Sequence, residues 1–233
     1  MVGDSMMRNV VGAVFLTSAA AAGFCSPYWV AWEDGWPEEQ GWSRFYSQGM
    51  PAKRWLEDGA LVIDSRESTH IYDYLARDMK GALDPDPGEM LIVQTRIKIH
   101  ETFGLYDAGF GLFSDEAWAV GFQLDTANLY SAFEPGVRVS FTPGVFHSFE
   151  LRSPDMRAYE LYVDTELRLR GSFKHLVSRS FVSWGDGVQG AASLSRWDYF
   201  RVGVVVPEPS GPVMWMALVV FCVRRWLRRP ARS

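Results

Sequence analysis

The chain is nearly devoid of cysteine: Cys25 and Cys222 are the only two in 233 residues, and each lies in an end segment. The body between them has no disulfide to draw on and is held by its apolar core alone. No His-Glu-x-x-His run and no paired Cys/His spacing occurs, which removes the common zinc frames. No Gly-x-Ser-x-Gly elbow and no Walker loop occurs either, which argues against serine-hydrolase and nucleotide chemistry. Internal repeats and low-complexity tracts are missing, so solenoids and linker-like chains are excluded. Long apolar runs are missing as well. The C-terminal run Pro212–Val223 holds no charge but is short against the roughly 20 residues of a membrane span.

What is present is aromatic. The chain is 48% hydrophobic and 15% aromatic, with ten Trp, fifteen Phe and nine Tyr. Aromatics favour strands and flat binding surfaces, so the composition leans all-β. The net charge of −5 hides an asymmetry. Ser26–Val206 holds 17 basic and 26 acidic residues, a net −9, while the last ten residues are strongly basic. An acidic body repels phosphates and excludes nucleic acid as a partner.

The two ends read as addresses. Arg8 precedes the apolar run Val10–Leu16 and the small residues Ala19–Gly23, the layout of a signal peptide over residues 1–25. Ala20-Ala21-Ala22 offers a cleavage site. At the other end, Pro207-Glu208-Pro209 precedes an apolar helix over 212–223 and an Arg cluster over 224–232. The positive-inside rule keeps that cluster cytoplasmic, giving a weak transmembrane anchor with the body exported. This order over 206–233 resembles the PEP-CTERM sorting signal of Gram-negative bacteria. The resemblance implies an exosortase-type membrane protease as partner, acting near Pro207, Glu208 and Pro209. Arg224, Arg225, Arg228 and Arg229 would hold the precursor in the inner membrane. It also implies a final place at the cell surface or in the extracellular polysaccharide. An ordinary single-pass anchor is the other reading.

Between these ends, strand signals dominate. In Met90–His100, Leu91, Val93, Thr95, Ile97 and Ile99 face one way and Gln94, Arg96, Lys98 and His100 the other. That alternation predicts a half-buried antiparallel strand. Trp118, Val120, Phe122 and Leu124 share a face, as do Phe149 with Leu151, Tyr159 with Leu161 and Val163, Leu167 with Leu169, and Phe200 with Val202 and Val204. Pro-Gly and Asp-Pro clusters punctuate the runs. Tyr28–Asp58 reads as irregular and Trp-rich, and Pro51–Glu57 suits one or two helical turns. Roughly a dozen short strands predict a sandwich or barrel.

The string PGVFHSFELRSPDMRAYELYVDTELRLRGSF resembles the hairpins of concanavalin A-like (laminin-G-like) jelly rolls, with Thr165 where glycine is usual. WGDGVQGAASLSRWDYFRV resembles their closing segment. The resemblance implies an all-β antiparallel jelly-roll sandwich over residues 26–205.

Candidate chemistry is sparse. Pairing Phe149 with Leu161 and Leu151 with Tyr159 puts Glu150 opposite Glu160, with Arg170 beside Glu160. Two carboxylates about 5 Å apart match a retaining glycosidase. Arg170 and Arg152 equally make this an ordinary solvated face. The Glu-x-Asp-x-x-Glu run of jelly-roll glucanases does not occur, and the nearest acidic cluster is Glu33-Asp34 with Glu38-Glu39. His147 reads as a hydrogen-bonded core residue opposite Val163. Trp184-Gly185-Asp186-Gly187 is a loop candidate, with Trp184 to stack on a sugar. Asp186 is a weak calcium ligand, one carboxylate being far short of six to eight oxygens. Trp197 and Tyr199, placed opposite in face to Phe200 and Val202, form a stacking platform or pack on the N-terminal tryptophans. The reading is an exported, non-catalytic domain that binds or helps form extracellular polysaccharide and needs no cofactor. The alternatives are a glycoside hydrolase or lyase using Glu150 and Glu160, and a structural surface protein without sugar affinity.

Overall fold

The computed structural model describes residues 28–47, 49–68, 73–79, 83–103, 108–176, 179–186 and 192–207. The segments read as signal peptide and sorting signal lie outside the described residues, except Val206 and Pro207, which are exposed just past the last strand. Among the described residues no helix is long and apolar enough to cross a membrane.

The strands in chain order are β1 Tyr28–Trp32, β2 Ser43–Tyr46, β3 Lys53–Glu57, β4 Ala60–Asp64, β5 Asp73–Asp78 and β6 Met90–Thr102. Then come β7 Ala108–Phe113, β8 Trp118–Leu124, β9 Asn128–Ser131, β10 Arg138–Ser140 and β11 His147–Ser153. The last are β12 Ala158–Val163, β13 Glu166–Ser172, β14 Lys174–His175, β15 Phe181–Asp186 and β16 Ser193–Val205. A single 3-10 turn at Pro37–Gln40 completes the described elements. The first sheet runs β13-β12-β11-β6-β16-β4-β3, with β1 on β16. The second runs β10-β9-β8-β7-β15-β5-β2, with β14 on β8. Every pairing is antiparallel, so the fold is the all-β two-sheet sandwich that the alternation predicts.

The inner faces meet in one apolar core. Leu91, Val93, Ile97, Phe149, Leu151, Leu161 and Val202 of the first sheet oppose Leu75, Phe110, Leu112, Val120, Phe122 and Val182 of the second, all buried. The Trp-rich start is sheet rather than irregular chain. Trp32 on β1 stacks on Trp184 at 4.8 Å, and Trp42 meets Trp184 at 5.9 Å and Phe200 at 5.4 Å. The helical turns expected over Pro51–Glu57 do not form. Lys53–Glu57 pairs with β4 through a two-residue turn, Asp58-Gly59, with φ of 50° and 80°. Asp-Gly between two runs is a strong hairpin signal, and its cross-strand bonds outweigh local helix propensity.

The hairpin β11–β12 is shifted by two residues from the expected pairing. Phe149 opposes Val163 and Leu151 opposes Leu161. A two-residue slip keeps every side chain on its face but changes each partner. The loop is thereby lengthened from Ser153–Arg157 to Ser153–Tyr159, and Ser153 braces it by donating its hydroxyl to the Ala158 carbonyl at 2.7 Å. Asp164-Thr165 joins β12 to β13 as a tight two-residue turn despite the threonine, with φ of 50° and 71°.

Candidate functional site

The outer face of the second sheet is built from three rows of side chains, each running across the strands. The register aligns Gly121 of β8, Gly111 of β7, Ser183 of β15, Ala76 of β5 and Ser43 of β2 in the middle row. On one side lie Ala119, Phe113, Phe181 and Asp78. On the other lie Tyr130, Gln123, Gly109, Gly185, Tyr74 and Phe45. The middle row is therefore a floor of small residues between two rows that carry aromatic rings. Crossing five strands makes it about 19 Å long, and four residues along each strand put the flanking rows about 13 Å apart.

Local sequence dictates this relief. In β7, Ala108, Phe110 and Leu112 face the core, which leaves Gly109, Gly111 and Phe113 outward. A Cβ at Gly111 would sit 2.8 Å from the Val120 carbonyl oxygen, and one at Gly109 would sit 2.5 Å from that of Phe122. Close approach of β8 thus requires glycine at both, and the floor stays bare. Phe113 and Phe181 stack at 4.8 Å, Phe133 closes edge-on against Phe113 at 6.2 Å, and Phe45 stacks on Tyr74 at 5.8 Å. Phe45 is half exposed. The trough contains a cleft of about 300 Å³ lined by Gly109, Gly111, Gly121, Phe113, Phe133 and Phe181. At the β2 end it continues into a cavity of about 560 Å³, where Ser43, Phe45 and Tyr74 meet Asp78, Asp115 and Arg179. Among the described residues of the three rows, Asp78 is the one charged group.

The residues singled out from sequence lie elsewhere. Glu150 and Glu160 are on the outer face of the first sheet and do not oppose one another. The two-residue slip places Glu150 opposite Tyr162 and Glu160 opposite Arg152. Glu150 accepts from Gln94 at 2.6 Å and from Arg152. Glu160 accepts from the Tyr162 hydroxyl at 2.6 Å and from Arg170 at 2.9 and 3.0 Å. The Tyr162 hydrogen bond, followed by those of Arg170, holds the Glu160 carboxyl below its ordinary range. That is the opposite of what a proton-donating glycosidase acid needs. Gln94, Glu150, Arg152, Arg201 and Glu33 line a cleft of about 450 Å³ there. Its charges are already paired: Arg201 meets Glu33 at 2.8 Å. Glu38 likewise pairs with Arg54, so the N-terminal acidic cluster is an edge of ion pairs.

Trp184 and Trp197 are not platforms, because both are buried. Trp184 and Asp186 occupy inward positions of β15, so 184–186 is core strand rather than loop, with Asp186 buried and Gly187 outside the described residues. Trp197 faces inward because β16 is bulged between Trp197 and Tyr199, the extra residue being Asp198. The bulge moves Trp197 onto the face of Phe200 and Val202, where it meets Trp184 at 5.1 Å. Tyr199 stays outward on the first sheet under the Arg201 guanidinium. Among the described residues no group of three or more His, Cys, Asp or Glu is placed to hold a metal. His147 is buried, its Nδ1 2.6 Å from Asp164 and its Nε2 2.7 Å from the Thr142 carbonyl.

The trough residues Phe45, Tyr74, Phe113, Phe133, Phe181 and the outward glycines escape a reading that looks for charged constellations. Their signal is the phase of the alternation: AGFGLF puts glycine on every second position beside an outward Phe.

No family model matches the chain, and no curated protein is similar to it in sequence. Solved structures are similar in fold. A carbohydrate esterase from the Shiga toxin-encoding bacteriophage phi24B superposes with a TM-score of 0.54 at 16% identity, covering 74% of this chain and 94% of that one. An endo-β-1,3-glucanase from Pyrococcus furiosus gives 0.52 at 14% identity, covering 72% and 89%. An endo-1,3-β-glucanase from Streptomyces sioyaensis gives 0.50 at 11% identity, covering 71% and 90%. These likenesses establish a shared jelly-roll sandwich.

Proposed function

We propose that this protein binds a neutral polysaccharide along the trough of its second sheet. The observation that carries the reading is the small-residue floor crossing five strands between aromatic rows. A pyranose ring presents C–H-rich faces that pack on aromatic rings, while its hydroxyls reach polar groups, here Gln123 in a flanking row and Ser183 and Ser43 in the floor. The length suits a stretch of polymer rather than a single ring. The absence of carboxylates from the floor, among the described residues, favours binding over cleavage, since a glycosidase needs two flanking the scissile bond.

The names of the similar structures favour the second reading, a glycoside hydrolase on the same face. On that reading the carboxylates nearest the trough are Asp78 and Asp115 in the end cavity, while Glu150 and Glu160 sit on the far sheet. One experiment separates the two. The chain is titrated with linear 1,3-linked β-glucan and assayed for release of reducing ends. Binding without release, weakened roughly tenfold in Phe181→Ala, supports the binding reading, tenfold being the loss expected of one aromatic contact. Release of reducing ends that Asp78→Asn abolishes supports hydrolysis. No binding and no release at millimolar glucan sinks both and leaves a structural surface protein.

We also propose export and surface sorting, on the strength of the terminal patterns alone. Membrane fractionation tests it: Glu208→Ala is expected to stay in the membrane, and processing equal to the parent chain overturns it.

A further inference from the structure

We infer that β3 is a docking edge for a second copy of this chain, two β3 strands pairing antiparallel about Trp55 to join the first sheets of two protomers. The inference is independent of the glycan-binding reading.

β3 ends the first sheet, held on one side by β4 and on the other by no described strand. An open edge of this kind is a template for another strand. The Asp58-Gly59 turn fixes which backbone groups are open. In a two-residue hairpin the residues flanking the turn exchange both backbone bonds, and such pairs alternate along the ladder. Glu57, Trp55 and Lys53 therefore direct their N–H and C=O groups to Ala60, Val62 and Asp64, while Leu56 and Arg54 direct theirs outward. Trp55 and Leu56, on opposite faces of this one strand, are 39% and 37% exposed. Tyr46 at the end of β2 and Met50 in the crossover to β3 are exposed on the same side of the sandwich.

The sequence of the strand selects its own copy. Laid antiparallel about Trp55, Arg54 faces Leu56 of the second copy and Leu56 faces its Arg54, so the outward backbone groups close four hydrogen bonds. The same register sets Lys53 against Glu57 of the second copy, twice, and Trp55 against its counterpart, all on the outer face. Opposite charges and paired aromatics in such positions are stabilising. A shift of two residues either way loses both charge pairs. Neither charge is used up within the chain. Lys53 meets the exposed Glu67 with one of its three donors, and Glu57 meets Arg196 only at 3.4 Å. A two-fold axis normal to the sheet relates the copies, so the contact is self-complementary and closes at two. Both second sheets then lie on one side of the joined sheet, and both troughs open the same way.

The test is sedimentation of the whole chain in mild detergent over roughly 1–500 μM. A monomer–dimer equilibrium is expected in that range, because a five-residue edge buries less than the about 1,200 Å² of a tight complex. Lys53→Glu creates two like-charge pairs and is expected to weaken the dimer roughly tenfold, and adding Glu57→Lys to it restores the parent value. Leu56→Pro removes an outward N–H while leaving the β4 ladder whole, and is expected to abolish the dimer. With Cys25 and Cys222 replaced by serine, Trp55→Cys is expected to form an intermolecular disulfide on oxidation. Leu56→Cys is not, because its two copies stand out of register, more than about 7 Å apart at Cα. A monomer at every concentration overturns the inference. So does a dimer that Lys53→Glu and Leu56→Pro leave intact, since the contact then lies elsewhere, and so does cross-linking through Leu56→Cys in place of Trp55→Cys. Lys53→Glu and its rescue, confined to exposed side chains, decide the matter should Leu56→Pro unfold.

Discussion

Thr165 carries a backbone conformation that threonine seldom adopts, with φ of 71° beside Asp164 at 50°. Both central positions of such a hairpin turn favour glycine, asparagine or aspartate, and a β-branched residue there is strained. The turn forms because its flanks outvote it. Val163 and Glu166 pair across the hairpin, and Asp164 accepts the Ser148 amide at 2.9 Å. Thr165→Gly is therefore expected to stabilise the protein by about 1 kcal/mol, relief of strain exceeding the added flexibility of the unfolded chain. Thermal denaturation should show the midpoint rising by about 2–4 °C. A fall would mean that the threonine side chain contributes a contact outweighing its strain. The same scale explains what a sequence reading sees of the site. Outward glycines such as Gly109 and Gly111 are visible as letters. Their meaning depends on a carbonyl of the next strand lying within 3 Å, a fact about the partner and not about the residue.

At the scale of elements, alternation is a strong guide where strands are regular and fails where they are not. In β6 it assigns every inward residue from Leu91 to Ile99, including the buried Thr95. Thr95 is polar because it faces the bulge of β16: its hydroxyl donates to the Tyr199 carbonyl at 2.9 Å. The bulge itself is invisible in Trp197-Asp198-Tyr199-Phe200, since one extra residue changes the phase and either phase puts an aromatic inward. The slip in β11–β12 is hidden for a related reason, because a shift of two preserves the faces that the pattern reports. The bulge makes a sharp prediction. Trp197→Ala should cost about 3–5 kcal/mol, as expected of a large side chain removed from a packed core. Tyr199→Ala, on the outer face, should stay within about 0.5 kcal/mol. Urea denaturation measures both, and a reversal of the two costs would put the extra residue elsewhere in β16.

At the scale of the whole molecule, the sandwich has two dissimilar outer faces. The first sheet carries a lattice of ion pairs, Arg170–Glu160 and Arg96–Asp198 across strands and Arg152–Glu150 along one strand among them. Exposed pairs of this kind contribute little to stability, and they leave little unpaired charge for a ligand. The second sheet carries the nearly uncharged trough. This division was partly legible: the body's acidic balance and its aromatic count are compositional facts. Which sheet receives the rings depends on the register of five strands. It leads to a prediction about salt. A polymer held by ring stacking and hydroxyl contacts does not feel the protein's −9 body charge, so raising sodium chloride from about 0.05 to 1 M should change Kd for a neutral glucan by less than about twofold. Over that range the screening length shrinks from above 10 Å to about 3 Å, which would erase any attraction arising from the body's surface charges. Arg152→Gln should be equally without effect, since it alters the opposite face. Titration calorimetry across the salt series decides the matter. A tenfold weakening, or a loss in Arg152→Gln, would transfer the binding surface to the charged sheet and its ligand to an ionic glycan.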